Sequence, residues 1–152
     1  MPLHLTVVTA ERTILDREDV TRLIVPTVEG QITILPSHAP LMTALGIGEM
    51  VAVTPSGDEP MVVHGGFLQV VANRVTVLAD AAEHVDEIDE ARAEEARQRA
   101  QRRLAGEHIH PEEGQVDLLR ARLAMQRALT RINIRRRRRG TGAPTMSERR
   151  TP

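Results

Sequence analysis

Arginine dominates the chemistry available to this chain. All twenty basic residues among its 152 are arginine, and cysteine, tryptophan and tyrosine are absent. On a helix turning about 100° per residue, Arg92, Arg99 and Arg103 form one stripe, and Arg120, Arg127 and Arg131 form another. Guanidinium groups suit phosphate oxygens because their planar donors match two oxygens at once. Asp89, at the foot of the first stripe, is a carboxylate that can accept a hydrogen bond or hold an arginine. The plainer reading of these residues is a solvated face, with the arginines paired to Glu94 and Glu95. From the residue types alone, that second reading leads.

Other chemistries find less support. His38 lies in the loop Pro36-Ser37-His38-Ala39-Pro40, and His64 precedes Gly65-Gly66 as a packing or strand-end residue. His108 and His110 are too sparse for a metal site. No Ser/His/Asp or Cys/His set stands out, and no glycine-rich phosphate loop is present. The sequence therefore offers no catalytic residues and no metal centre. Phe67 is the only aromatic residue, which argues against a nucleic-acid surface built on base stacking.

The charges are segregated along the chain. Residues 1–81 carry net −5, residues 82–134 net −2 and residues 135–152 net +6. The lack of cysteine suits a reducing compartment. No apolar run is long enough to span a membrane, and the N-terminus has no signal-peptide pattern. A soluble, cytoplasmic protein is expected.

The elements that would position these groups fall in two sets. Residues 3–9 (LHLTVVT) alternate and are β-branched, the mark of a half-buried strand. Further strands are expected at 13–15, 20–28, 31–35, 41–45, 46–54, 60–64, 67–72 and 74–79, with turn signals about every ten residues. Eight to ten short strands make a β-sandwich or flattened barrel. Pro26 lacks a ladder donor and belongs at an edge or bulge. Valine, isoleucine and leucine must fill the core.

From Asp80 the period changes from two to about 3.6. Asp86 is a good N-cap for a first helix running to about Ala105, with Asp89 in its first turn. Ala93, Ala96, Ala100 and Leu104 make its narrow apolar side, which allows close approach but buries little area. Gly106–Gly114 reads as a loop. A second helix is expected over about Gln115–Ile134, with Leu118, Ala121, Met125, Ala128, Leu129 and Ile132 as its apolar face. Two helices of equal length joined by a nine-residue loop make an antiparallel hairpin. The expected fold class is thus β followed by α: a sandwich over 1–84, a hairpin over 86–134 and an arginine-rich tail over 135–152. Arg135–Arg139 reads as disordered. It could dock on an acidic surface or, as an alternative function, bind nucleic acid through the tail.

Four segments carry a resemblance to a known family: EGQITILPSHAPLMTAL (29–45), HGGFLQVVANRVTVLADAAE (64–83), IDEARA (88–93) and RARLAMQRALTRI (120–132). The chain resembles the epsilon subunits of bacterial F-type rotary ATP synthases. That resemblance implies a ten-stranded sandwich seated on the gamma subunit and the ring of c subunits. It also implies a mobile hairpin that rises into the alpha/beta catalytic head and restrains ATP hydrolysis. The expected protein is a noncatalytic, peripheral subunit at the cytoplasmic face of the bacterial membrane, coupling rotation to proton transport. It needs no cofactor, inserts nowhere in the bilayer and binds no nucleic acid.

The same resemblance implies particular sites. IDEARA is similar to the motif by which some epsilon subunits bind ATP, which implicates Ile88, Asp89, Arg92 and Ala93, together with Arg99, Arg127 and Arg131. ATP would be a regulatory ligand. Antiparallel packing would gather these arginines, whose repulsion would weaken the folded hairpin until a polyanion filled the gap. Ser37, His38, Ala39 and Pro40 are implicated in contact with the ring and stalk. Arg120, Arg135 and Arg136 are implicated in the inhibitory contact with the catalytic head. The long Gly106–Gly114 loop and the arginine-rich tail depart from the family pattern.

Overall fold

The computed structural model describes residues 1–106 and 114–140. Ten strands come first: β1 (Leu3–Val8), β2 (Thr13–Val20), β3 (Arg22–Thr27), β4 (Gly30–Ile34), β5 (Leu41–Ala44), β6 (Ile47–Thr54), β7 (Gly57–His64), β8 (Gly66–Val71), β9 (Arg74–Ala79) and β10 (Ala82–His84). They form two five-stranded sheets, ordered β2-β1-β9-β8-β5 and β10-β7-β6-β3-β4. Strands β1 and β9 run parallel and the other neighbours antiparallel.

Period-two patterning builds the sandwich. In β1, Leu3, Leu5 and Val7 are buried while His4, Thr6 and Val8 are partly exposed. Leu23, Met50, Met61 and Leu68 join them as fully buried residues of one continuous core. Each such side chain contributes roughly 1.5–3 kcal/mol relative to exposure. Pro26 pairs with Gln31 of β4, but the pairing of β3 with β6 ends at Ile24. Its missing donor therefore costs the inner ladder nothing.

The turn between β7 and β8, where the chain changes sheets, requires glycine. Gly66 has φ +112°, and a Cβ there would lie 2.1 Å from the Leu78 carbonyl oxygen. Gly65, at φ +76°, would put a Cβ 2.7 Å from an Asp80 carboxylate oxygen.

After a single 3-10 turn, Val85–Glu87, come α1 (Glu90–Leu104) and α2 (Gly114–Gly140). The two helices pack together with Ala93, Ala100, Ala121 and Ala128 buried. Arg136 of α2 donates to Glu90 at the start of α1 over 2.7 Å. This puts the C-terminal part of one helix beside the N-terminal end of the other, so the pair is antiparallel.

Three local expectations are corrected. The N-cap of α1 is Asp89, not Asp86: its carboxylate accepts from the Arg92 backbone N–H at 3.1 Å. Asp86 falls within the 3-10 turn instead. Residues 82–84, read as the onset of helical period, form strand β10 against β7. Finally, α2 continues through the arginine run to Gly140, where a disordered tail was expected from Arg135. Cations in the last turns of a helix face its negative end, and these find carboxylate partners described below. His108, His110 and the rest of the tail lie outside the described residues.

Candidate functional site

The hairpin meets the sandwich on the outer face of the second sheet. Val62 of β7 lies opposite Glu49 of β6 on one side and Glu83 of β10 on the other. A row Glu49–Val62–Glu83 therefore crosses three strands. Val62, Val85, Ile88 and Ile134 form a small buried cluster of their own. On one side of it Arg131 binds Glu83. On the other, both Arg137 and Arg138 bind Glu49, with Arg138 Nε 2.8 Å from its Oε1. Arg135 Nη1 reaches Asp86 at 3.4 Å and the Val85 carbonyl at 3.3 Å.

Beside Glu83 the hairpin and sandwich enclose a cleft of about 610 Å³. Asp89, Arg92, Ala93, Ala96 and Arg99 line it from α1, Arg131 from α2, and Glu11, Glu83 and Glu87 from the sandwich side. Of the residues expected at a nucleotide site, Asp89, Arg92, Ala93, Arg99 and Arg131 are thus brought together. Ile88 and Arg127 do not line this cleft: Ile88 is buried in the cluster with Ile134, and Arg127 is half-buried further back along α2.

The expected crowd of unpaired cations is not what the structure shows. Arg131 is neutralised by Glu83, and Arg99 lies 4.0 Å from Glu95 in an exposed pair. Glu94 pairs with Arg97 at 2.9 Å. Only Arg92 among the lining arginines makes no ion pair with a described residue. A polyanion entering here meets Arg92 and Arg99 directly but competes with Glu83 for Arg131. Two of the three lining arginines thus have a carboxylate partner.

Glu83 has no place in the motif yet is central to the geometry. Burial pushes its carboxyl up, and the facing His64 and Arg131 more than offset this, leaving it below the ordinary glutamate value of 4.5. His64 is 5 % exposed, with Nε2 at 3.8 Å from the Glu83 carboxylate. Neither ring nitrogen has a hydrogen bond among the described residues.

The loop Ser37–Pro40 joins β4 of one sheet to β5 of the other. Ser37, at φ 65°, donates its N–H to the Asn73 side chain at 2.6 Å, tying the loop to the β8–β9 turn. His38 N–H donates to the Leu35 carbonyl at 3.2 Å, and its ring Nδ1 lies 2.7 Å from the Ala39 carbonyl. The loop is thus a fixed feature at one end of the sandwich. Arg120 is exposed on α2, away from the ion pairs of the docked face. Arg135 and Arg136, expected at the inhibitory contact, pair within this chain with Asp86 and Glu90.

An apolar patch stands on the outer face of the other sheet. Phe67 is 56 % exposed, and Leu78 opposite it on β9 is 54 % exposed. Met42, two residues before Ala44 on β5, is 71 % exposed. Contiguous exposed apolar side chains of this size mark contact surfaces. Strand alternation puts Phe67 opposite in sense to the buried Leu68, a signal legible in advance once the register is known.

A ten-stranded sandwich with a two-helix hairpin held to its outer face by ion pairs defines a two-part class of small protein. The chain belongs to the ATP synthase delta/epsilon chain family, whose β-sandwich domain matches residues 2–85 and whose long alpha-helix domain matches residues 86–135. It is 44% identical to the ATP synthase epsilon chain of Herpetosiphon aurantiacus over 139 residues, covering 91% of this chain and 98% of that one. It is 54% identical to the epsilon chain of Chloroflexus aggregans over 100 residues, 66% of this chain and 71% of that one. In solved structures the fold is similar to a chain of the Euglena gracilis mitochondrial ATP synthase (OSCP/F1/c-ring), with TM-score 0.70, 21% identity and coverage of 85% of this chain and 78% of that one. Among the described residues, no helix is long and apolar enough to cross a membrane.

Proposed function

We propose that this chain is a noncatalytic central-stalk subunit of a proton-translocating F-type ATP synthase, at the cytoplasmic face of the membrane. Its sandwich seats on the gamma subunit and the c ring, and its hairpin moves between a docked and a raised state that restrains ATP hydrolysis. One observation carries the reading: the hairpin interface is small and ionic, whereas the sandwich closes on its own core. Among the described residues, the buried apolar cluster between the hairpin and the sandwich consists of Val62, Val85, Ile88 and Ile134. A contact of this kind can part without unfolding either side. The apolar Phe67–Leu78–Met42 patch supports a permanent partner on the opposite sheet, and the Ser37–Pro40 loop supports a second contact at the end of the sandwich.

ATP is the regulatory ligand this reading adds, bound in the cleft between Arg92, Arg99 and Arg131. The chain takes no part in chemistry on it. The test is reconstitution of the complex with residues 1–85 alone. Assembly with gamma should survive, and ATP hydrolysis should rise. If hydrolysis is unchanged, the hairpin is not a brake.

A further inference from the structure

Three contacts on α2 meet the row that crosses the second sheet. Arg131 is at Glu83, Ile134 in the cluster with Val62, and Arg137 with Arg138 at Glu49. The spacing is a geometric match. From β10 to β6 is two strand steps, about 9.6 Å, and seven helical residues rise about 10.5 Å. The helix therefore crosses the strands with one contact per strand: ionic, apolar, ionic.

We propose that Glu49, gripped by Arg137 and Arg138, is a latch that sets how firmly the hairpin stays docked. The proposal rests on the reading that the hairpin moves. Two of its three residues lie beyond residue 135, where the match to the family's helical domain ends. Glu49 retains 14% side-chain exposure under the two guanidiniums. A carboxylate so covered is desolvated, and losing its partners costs more than breaking an exposed pair. The neighbouring contacts fit the same role. Arg136 holds Glu90 on α1, so the same helical turn ties the hairpin to itself and to the sandwich. Gly48, next to Glu49, is covered by the Pro26 ring, which would lie 3.1 Å from a Cβ there. The latch residue thus stands on a packed strand and does not give way when pulled.

The chain has no cysteine, so two introduced ones label it uniquely. Nitroxides at Asp58→Cys on β7 and Gln126→Cys on α2, both exposed positions, report the hairpin-to-sandwich distance by pulsed electron resonance in the full chain. At about 0.05 M salt the docked distance should dominate. Glu49→Gln, and separately Arg137→Gln with Arg138→Gln, should each lower the ratio of docked to raised forms about tenfold. The reversed set Glu49→Arg, Arg137→Glu, Arg138→Glu should regain most of the loss. At about 1 M salt, where screening acts within about 3 Å, wild type should approach the variants. If wild type and variants open to the same extent at every salt concentration, the latch is wrong while the mobile hairpin stands. If the hairpin stays docked in all of them, the latch and the mobile hairpin both fail. The arginine variants sit on an exposed helix end, so the test survives even if the Glu49 substitution disturbs β6.

Discussion

The two interfaces of this protein differ in kind. Between the sheets, buried side chains such as Leu5, Leu23, Met50 and Leu68 meet with no charge among them. Between hairpin and sandwich, Val62, Val85, Ile88 and Ile134 are flanked by Arg131–Glu83, Arg135–Asp86 and the Glu49 pairs. Apolar burial is not weakened by charge screening and loses roughly 25 cal/mol for every Å² exposed again. Charge pairs are screened, and water compensates their ends when they part. The first interface makes a body that stays folded, and the second makes an arm that can let go of it. The contrast predicts that substitutions will sort by what they disturb: the melting of the whole protein, or only the position of the hairpin.

The largest expected effect belongs to the sandwich. Gly66→Ala forces a Cβ into the Leu78 carbonyl at a backbone angle that disfavours any side chain. Its cost is about 3 kcal/mol or more, read as a lower melting temperature of the whole chain by circular dichroism. If Gly66→Ala melts like wild type, the sheet-changing turn is less constrained than its geometry says.

Next comes the apolar part of the second interface. Ile134→Ala should weaken docking by about 2 kcal/mol through lost burial and a small cavity, while the melting of residues 1–85 stays unchanged. Hydrogen exchange separates the two: amides of β6 and β7 keep their protection, and those late in α2 lose theirs. Equal loss in both places would mean that hairpin and sandwich form one cooperative unit, and the comparison would collapse.

A smaller effect is expected from acid. The Glu83 carboxyl in the docked form lies below its ordinary 4.5. Its contribution to docking is therefore full above that value and fades as pH falls through the depressed docked value. Hairpin opening, followed by the same spin labels, should thus begin below about pH 4.5 in wild type. In Glu83→Gln that pH dependence should shrink. An unchanged acid response in Glu83→Gln would mean that protonation of Glu83 does not release the hairpin.

Much of the sandwich could be read in advance, because alternation such as Leu3–His4–Leu5–Thr6–Val7 has one physical meaning. The hairpin was legible in outline for the same reason, through Ala93, Ala100, Ala121 and Ala128. What escaped the reading depends on partners distant in the chain. Strand β10 is three residues long, Ala82–His84, and exists only because β7 offers an edge. Arg135–Arg139 looks like a solvated tail until Glu49, nearly ninety residues earlier, is seen beneath it. The motif pointed to Asp89, Arg92 and Ala93, and these do share a cleft. Glu83, on the opposite wall, lies outside the IDEARA motif. Arg127 was grouped with Arg131 by helical projection, yet four residues turn about 40° past a full revolution, and only Arg131 reaches the cleft.

That last difference gives the finest test. A ligand that binds the docked form alone stabilises it by RT ln(1 + [L]/Kd), about 2.7 kcal/mol at a hundredfold excess over Kd. If ATP occupies the cleft, Arg92→Ala removes the one lining arginine with no ion pair among the described residues and should weaken binding most. Arg131→Ala has two opposed consequences: it removes a donor to phosphate, but it also breaks the pair with Glu83 and leaves that carboxylate facing the ligand. It should therefore weaken both docking without ATP and the response to ATP. Arg127→Ala, outside the lining, should change ATP affinity by no more than about twofold, in line with a screened charge acting at a distance. Calorimetric titration of the full chain and its three variants orders them. The order Arg92, Arg131, Arg127 supports the cleft. An effect of Arg127→Ala as large as that of Arg92→Ala would place the nucleotide further along α2, and no heat with millimolar ATP in wild type would leave the cleft an ionic seam and nothing more.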